Sequence, residues 1–283
     1  MRNISAQAIT DAVARLCIEA NTRLPQDVQA ALDKARQEEP WPLAKSTLDL
    51  LWSNLSAAKE ENLPICQDTG MACVFVELGT DVHIDGSFEA AIHEGRAPGL
   101  YRRLPAQEHR SRPAAPGNTG DNTPAAITVH LVDGEGCRIT VAPKGFGSEN
   151  MSQIKMLKPA DGVEGFKKFV LDTVKLAGSN PCPPIVLGIG IGGSFDKVAY
   201  LAKHALLRPI DQPNPDPLLR PAGAGAAGAG AFGAAGHADL FKAAPDGAGH
   251  PRGRLHDPLC GQNDSKGAGR QTGRWGKCLK ILR

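Results

Sequence analysis

Long apolar runs are missing from this chain. No window approaches the roughly 20 apolar residues that a membrane span requires, so no membrane partner is expected. Aromatic residues are scarce, at 5% of the 283. With 41% apolar residues in all, the core has to be built from Val, Ile, Leu and Ala. An excess of one charge is also lacking: 32 Lys and Arg against 30 Asp and Glu leave a formal +2. That is too little to draw nucleic acid or an anionic surface. The opening MRNISAQAITDAVARLCIEA is an amphipathic helix pattern with none of the long apolar stretch of a secretory signal. The seven cysteines are odd in number and never fall in C-x-x-C spacing, which argues against a disulfide scaffold, a zinc ribbon or a thioredoxin-like site. A reduced, cytoplasmic setting is therefore expected, and there thiolates stay available for metal.

What is present reads first as helix. Ile9, Val13 and Leu16 recur at helical spacing, Val28, Leu32 and Ala35 repeat the pattern after Pro25, and Leu48, Leu51, Leu55 and Ala58 follow Pro42. The period then changes to two: Cys73, Phe75, Glu77 and Gly79 alternate with Ala72, Val74, Val76 and Leu78. A strand pair is expected at 126–132 and 137–142, with Asp133 to Gly136 as the hairpin turn. Helix returns over 161–177, with Phe166, Phe169, Val170, Val174 and Leu176 as its buried stripe. Ile185 to Ile191 reads as a short buried strand, and Ser194 as the cap of a helix carrying Val198, Leu201, Ala202, Ala205 and Leu206. The class expected is α/β, with helices in front and small mixed sheets with helices behind.

After Pro217 the composition shifts. Residues 222–236 hold eight Ala, six Gly and one Phe, and 218–283 contain no Val, Glu, Met or Tyr. Such a segment buries too little apolar surface to offset its chain entropy. Two readings stand: a natural disordered tail, or translation out of frame in GC-rich DNA, where off-frame codons give Gly, Ala, Arg and Pro. The second is preferred. The domain expectation is thus a folded part at 1–217 and a non-native or disordered tail at 218–283. The Arg- and Pro-rich block 96–117 fits neither periodicity, and is either a loop or a stretch between two compensating frame errors.

Three segments carry candidate chemistry. Cys66, in Pro64-Ile65-Cys66-Gln67-Asp68-Thr69-Gly70, sits in a polar turn whose amides can stabilise a thiolate; a buried structural cysteine is the alternative. Cys182, in Gly178-Ser179-Asn180-Pro181-Cys182-Pro183-Pro184, lies in a loop stiffened by prolines, which suits a ligand or an ordinary connection. Lys144-Gly145-Phe146-Gly147-Ser148-Glu149-Asn150 has glycines that let backbone amides approach an anion, or that merely serve a loop with positive φ. Cys17, Cys73 and Cys137 fall on apolar faces and read as core. Gly188-Ile189-Gly190-Ile191-Gly192-Gly193 satisfies G-x-G-x-x-G between a strand and a helix, the context of a dinucleotide site. The acidic residue due about 20 positions on is missing, since Asp211 and Asp216 sit in a Pro-rich run.

CQDTG at 66–70, NTGDNTPA at 118–125, KGFGSENMS at 144–152, NPCPP at 180–184 and the run from Pro184 to Pro217 together resemble the α subunit of class I fumarate hydratases and their L-tartrate dehydratase relatives. The resemblance covers about residues 1–217 apart from 96–117. It implies a hydro-lyase acting on a small 2-hydroxy dicarboxylate, malate in the first place, because SENMSQIKMLKP is closer to the fumarase branch. L-tartrate dehydration, a dinucleotide-binding oxidoreductase and a non-catalytic remnant are the alternatives.

The same resemblance implies a 4Fe–4S cluster held by three cysteines, of which Cys66 and Cys182 are two. The third belongs near the C-terminus, where neither Cys260 nor Cys278 has the family's surroundings. Gln67, Asp68 and Gly147 match residues that contact substrate, although the family has Gly where Phe146 stands. A substrate arginine is due near 102–106, at Arg102 or Arg103. The general base belongs to the β subunit, so a β partner, in an α₂β₂ assembly, is implied.

Overall fold

The computed structural model describes residues 1–96, 106–110, 118–120, 123–212, 214 and 241–244. Its elements run β1 (Arg2–Ser5), α1 (Ala6–Thr22), α2 (Gln26–Glu38), α3 (Pro42–Glu61), β2 (Met71–Gly79), β3 (Val82–Asp85) and α4 (Phe88–Arg96). Then follow β4 (Ala106–Arg110), β5 (Asn118–Gly120), β6 (Ala126–Val132), β7 (Cys137–Lys144), α5 (Phe146–Glu149), a 3-10 turn (Pro159–Asp161), α6 (Gly162–Ala177), β8 (Leu187–Gly190), α7 (Phe195–Ala205) and β9 (Phe241–Ala244). The α/β class expected from sequence is the one observed. The chain forms two compact units, and it passes between them at 21/22, 68/69 and 143/144.

In the first unit, built on 1–21 and 69–143, α1 and α4 join a three-stranded sheet of order β6-β2-β7. β2 and β6 run parallel, with Cys73 opposite Ala126 and Gly79 opposite Val132. A second parallel pair sets β1 beside β3. Ile9, Val13 and Leu16 of α1, Val74 and Val76 of β2, Ile92 of α4 and Val141 of β7 are the fully buried centre, with Cys17 among them. Each such side chain contributes roughly 1.5–3 kcal/mol through removal from water.

Here the expected hairpin is overturned. β6 and β7 do not pair with one another; β2 lies between them. Residues 72–76 of β2 are all buried, so both faces of this strand are covered and the central position satisfies both of its backbone edges. The segment 133–136 instead bonds to the end of β2: the Gly79 amide donates to the Gly136 carbonyl at 2.6 Å and the Asp81 amide to the Gly134 carbonyl at 3.0 Å. A Cβ on Gly79 would collide with the Gly134 carbonyl oxygen, so only glycine fits.

In the second unit, α2 and α3 pack Leu32, Leu48, Leu51, Ala58 and Ile65 into a small helical core, as their spacing predicts. Asn62, in the left-handed conformation at φ 53°, ends α3. α6, β8 and α7 follow, and β8 pairs in parallel with β9, Leu187 opposite Phe241. On α7, Leu201 and Ala205 are buried as expected.

Two expectations in this unit need correction. Leu176 is 67% exposed and Ala177 takes the buried place, because helical spacing from Phe166 through Val170 and Thr173 arrives at 177. The strand expected at 185–191 covers only 187–190 and is half-buried, packed by α7 and paired with β9.

Candidate functional site

The Cys66 segment is pinned before it reaches the cysteine. Ile65 is buried in the helical core, and Asn54 Nδ2 on α3 donates to the Ile65 carbonyl at 2.8 Å. Cys66 itself is half-buried, its Sγ donating to Gln67 Oε1 at 3.6 Å, and Gln67 is exposed. Asp68 turns the other way, and its Oδ2 accepts from the Phe146 amide at 3.0 Å. A Cβ on Gly145 would lie 2.7 Å from that same oxygen, so glycine at 145 lets the two segments close on each other. Phe146 occupies the first helical position of α5, a conformation any residue adopts, and so the backbone of this turn is not disturbed by the phenylalanine.

The Cys182 loop meets the same turn from another side. A Cβ on Gly147 would come within 2.9 Å of the Asn180 carbonyl oxygen, and Asn180 Nδ2 lies 3.4 Å from Met151 Sδ. Cys182 is half-buried, with its amide donating to the Ser179 carbonyl at 2.9 Å and its Sγ 3.9 Å from the Asn180 carbonyl. Its φ is 54°, a left-handed backbone that costs a non-glycine residue roughly 1 kcal/mol or more and persists only where its surroundings impose it. Nothing in the sequence signalled that conformation. The turn at 145–149 thus joins both cysteine loops, through Asp68 on one side and Asn180 on the other.

Beneath the turn lies an ionic cluster that sequence reasoning passed over. Lys144 is buried; its Nζ donates to Ser148 Oγ at 2.6 Å and to the Gly145 carbonyl at 3.4 Å, and pairs with Glu149 at 3.5 Å. Lys203 of α7 donates to the other Glu149 oxygen at 2.6 Å. Lys144 was visible in the motif, but Lys203 stands too far along the chain for local spacing to associate them. The first unit holds a second buried cation, Arg96, fully buried with Nη2 donating to the Gly70 carbonyl at 3.3 Å. It is the first residue of the Arg- and Pro-rich block 96–117 and the last of α4.

The donors suit a soft metal centre in kind. Thiolates select soft centres such as Cu(I), Zn or an iron–sulfur cluster, and they must be deprotonated and accessible to bind. Cys66 and Cys182, on loops and half-buried, meet the access condition. Cys17 does not: burial pushes its thiol from 9.0 up to about 12, which keeps it neutral in the core. Cys73 is also buried, and Cys137 packs partly against the same core. Among the described residues no group of three or more His, Cys, Asp or Glu side chains stands together as a metal site. Cys260 and Cys278, like Arg102 and Arg103, lie outside the described residues.

Within the glycine run at 188–193, Gly188 and Gly190 have a packing role. A Cβ on Gly188 would strike the Ala202 carbonyl and one on Gly190 the Val198 carbonyl, both on α7. These glycines bring helix and strand together. No described helix is long and apolar enough to cross a membrane.

Fold and site together define an α/β protein in which a glycine-containing polar turn contacts the loops that carry two half-buried cysteines. The family model described as fumarate hydratase (fumerase) matches residues 10–236, and the chain belongs to that family. A Methanocaldococcus jannaschii protein named "Putative L(+)-tartrate dehydratase subunit alpha" is 40% identical over 222 residues, 74% of this chain and 75% of that one. An Escherichia coli protein named L(+)-tartrate dehydratase subunit alpha is 30% identical over 213 residues, 74% of this chain and 70% of its own. The chain is of the hydro-lyase alpha-subunit type.

Proposed function

We propose that this chain is the α half of a 4Fe–4S hydro-lyase interconverting L-malate and fumarate, with Cys66 and Cys182 as two of the three cluster ligands. The observation that carries the reading is the meeting of both cysteine loops on the 145–149 turn, through the Asp68–Phe146 bond and the Gly147–Asn180 approach. When bound, a cluster with an open iron supplies the Lewis acid that a departing hydroxide needs. The chain's own residues do the rest of the positioning. Asp68, oriented by the Phe146 amide, and Gln67, exposed beside Cys66, contact the dicarboxylate; Gly147 contributes a backbone contact from the turn. Asp68 is held before substrate arrives, so little ordering remains to be done on binding. The general base is assigned to a β subunit, a reading supported by relatives whose names end in "subunit alpha".

Residues 218–283 are assigned to translation out of frame, on the composition that changes after Pro217. The third thiolate is then assigned to the segment that the correct frame encodes. A cytoplasmic location follows from the same need for reduced thiols.

The test joins the frame-corrected chain to its β partner, loads iron and sulfide anaerobically, and measures kcat/KM for L-malate, fumarate and L-tartrate. Hydration of fumarate above dehydration of tartrate is expected. The printed names of the relatives favour the reverse preference, and a higher kcat/KM for L-tartrate would assign the chain to that second reading. No turnover of any of the three by a fully loaded complex would leave a remnant without catalysis.

A further inference from the structure

Lys144 lies at the end of β7 with its ammonium buried. A buried cation is expensive unless paired and hydrogen-bonded, so a position that needed only packing would be better served by Met or Leu. Its partners are the polar atoms of the turn that follows: Ser148 Oγ at 2.6 Å, the Gly145 carbonyl at 3.4 Å and Glu149 at 3.5 Å. Ser148 Oγ in turn lies 3.0 Å from the Gly145 carbonyl, closing a ring within the turn. Glu149 is shared, because Lys203 Nζ reaches its other oxygen at 2.6 Å. Lys203 stands on α7, which packs tightly on β8, the strand that follows the Cys182 loop. The turn held in this way is the one that touches Asp68 on one side and Asn180 on the other.

We propose that Lys144 is a positioning residue: clamped between Ser148 and the Glu149–Lys203 pair, it fixes the 145–149 turn where the Cys66 and Cys182 loops both seat. Its consequence for catalysis rests on the hydro-lyase reading; its consequence for the two loops does not. One carboxyl is shared between two ammonium groups, which ties the end of β7 and α7 to the same turn.

The test uses the full chain, free of iron, and the rates at which iodoacetamide labels each cysteine, followed by mass spectrometry. Lys144→Met should speed labelling of Cys66 and Cys182 about tenfold by local opening of the turn, with Cys17 and Cys73 still protected. Lys144→Arg, which keeps the charge but puts a larger planar group at a buried site, should speed labelling less than Lys144→Met does, by about threefold. Labelling of Cys66 and Cys182 unchanged by Lys144→Met would overturn the proposal, as would equal loosening by Lys144→Arg. Should Lys144→Met expose Cys17 as well, the milder Ser148→Ala decides: selective labelling of the two loop cysteines supports the clamp, and none overturns it. In the frame-corrected, iron-loaded complex with the β partner, Lys144→Met should raise KM for L-malate about tenfold and leave kcat within about threefold, the pattern of lost uniform binding. Selective labelling with no turnover of any hydroxy diacid would keep the clamp and remove the hydro-lyase reading.

Discussion

Gly145→Ala is the smallest change that separates a seated Asp68 from a merely adjacent one. The backbone at 145 has φ −66° and ψ 141°, which alanine adopts freely. Taken alone, the substitution should therefore stabilise by about 0.4–1 kcal/mol, through a less disordered unfolded chain. The opposing effect is steric: the new Cβ arrives 2.7 Å from Asp68 Oδ2 and 3.3 Å from its Cγ. Asp68 has to retreat by about half an ångström or more to reach ordinary contact. That retreat breaks the 3.0 Å bond from the Phe146 amide. A hydrogen bond to a charged group is worth about 1.5–3 kcal/mol, and half-burial of Asp68 argues for the lower part of that range. The net expectation is a loss of about 1 kcal/mol, or a fall of roughly half a molar in urea midpoint. Trp52, packed against the helical core of the second unit, supplies the fluorescence signal. The decisive comparison is the double-mutant cycle with Asp68→Ala. In that background the collision is gone and Gly145→Ala should be neutral or stabilising. An equal loss in both backgrounds would refute the reasoning, because the clash would then lie elsewhere.

Three further outcomes follow from the same contacts. Gly79→Ala forces the β2 end away from Gly134 and the 2.6 Å bond to Gly136, and should cost about 2–4 kcal/mol, read by thermal unfolding. Cys17 binds its proton more tightly folded than unfolded, so its contribution is complete below pH 9 and is lost as pH rises toward about 12. Over that window stability should fall by roughly 1.4 kcal/mol per pH unit at most, and urea midpoints of Cys17→Ala should lack this limb. Cys66→Ser and Cys182→Ser should each abolish the visible absorbance of a reconstituted cluster in the frame-corrected complex, whereas Cys73→Ala should retain it; equal loss in all three would remove the two cysteines as ligands.

The helices were legible because their evidence is local. Ile9, Val13 and Leu16 recur every third or fourth residue, and all three are buried. Leu48, Leu51 and Ala58 behave in the same way. The sheet order was not legible: the turn residues Asp133 to Gly136 read as a hairpin, and only the presence of β2, fifty residues earlier in the chain, prevents the pairing. Leu176 was placed on the wrong face by one step of the helix, an error of about 100° that the bulk of leucine invites over Ala177. The two cysteine loops stood out by their turn chemistry. The clamp beneath them did not, because Glu149 and Lys203 acquire meaning only once α7 folds back against the turn.

Glycine marks where local reading gives out and why. Gly188 and Gly190 fit a nucleotide fingerprint, and Gly145 and Gly147 read either as an anion site or as a loop needing positive φ. In the folded chain the first two face the backbone of α7, whose Val198 and Ala202 carbonyls occupy the space a side chain would need. Gly188 and Gly190 are therefore accounted for by helix–strand packing, a role the fingerprint itself gives to one of its glycines. The second two face groups of another kind: an acidic side chain and a loop carbonyl adjoining a cysteine. The residue is the same in both segments, and only what lies across from it distinguishes packing from a site. A spacing motif records that close approach is required, while the identity of the approaching group is a property of the tertiary fold. On that ground the 145–149 turn, where the proposed site lies, is favoured over the pattern at 188–193 among the described residues as the place where substitutions should alter chemistry as well as stability.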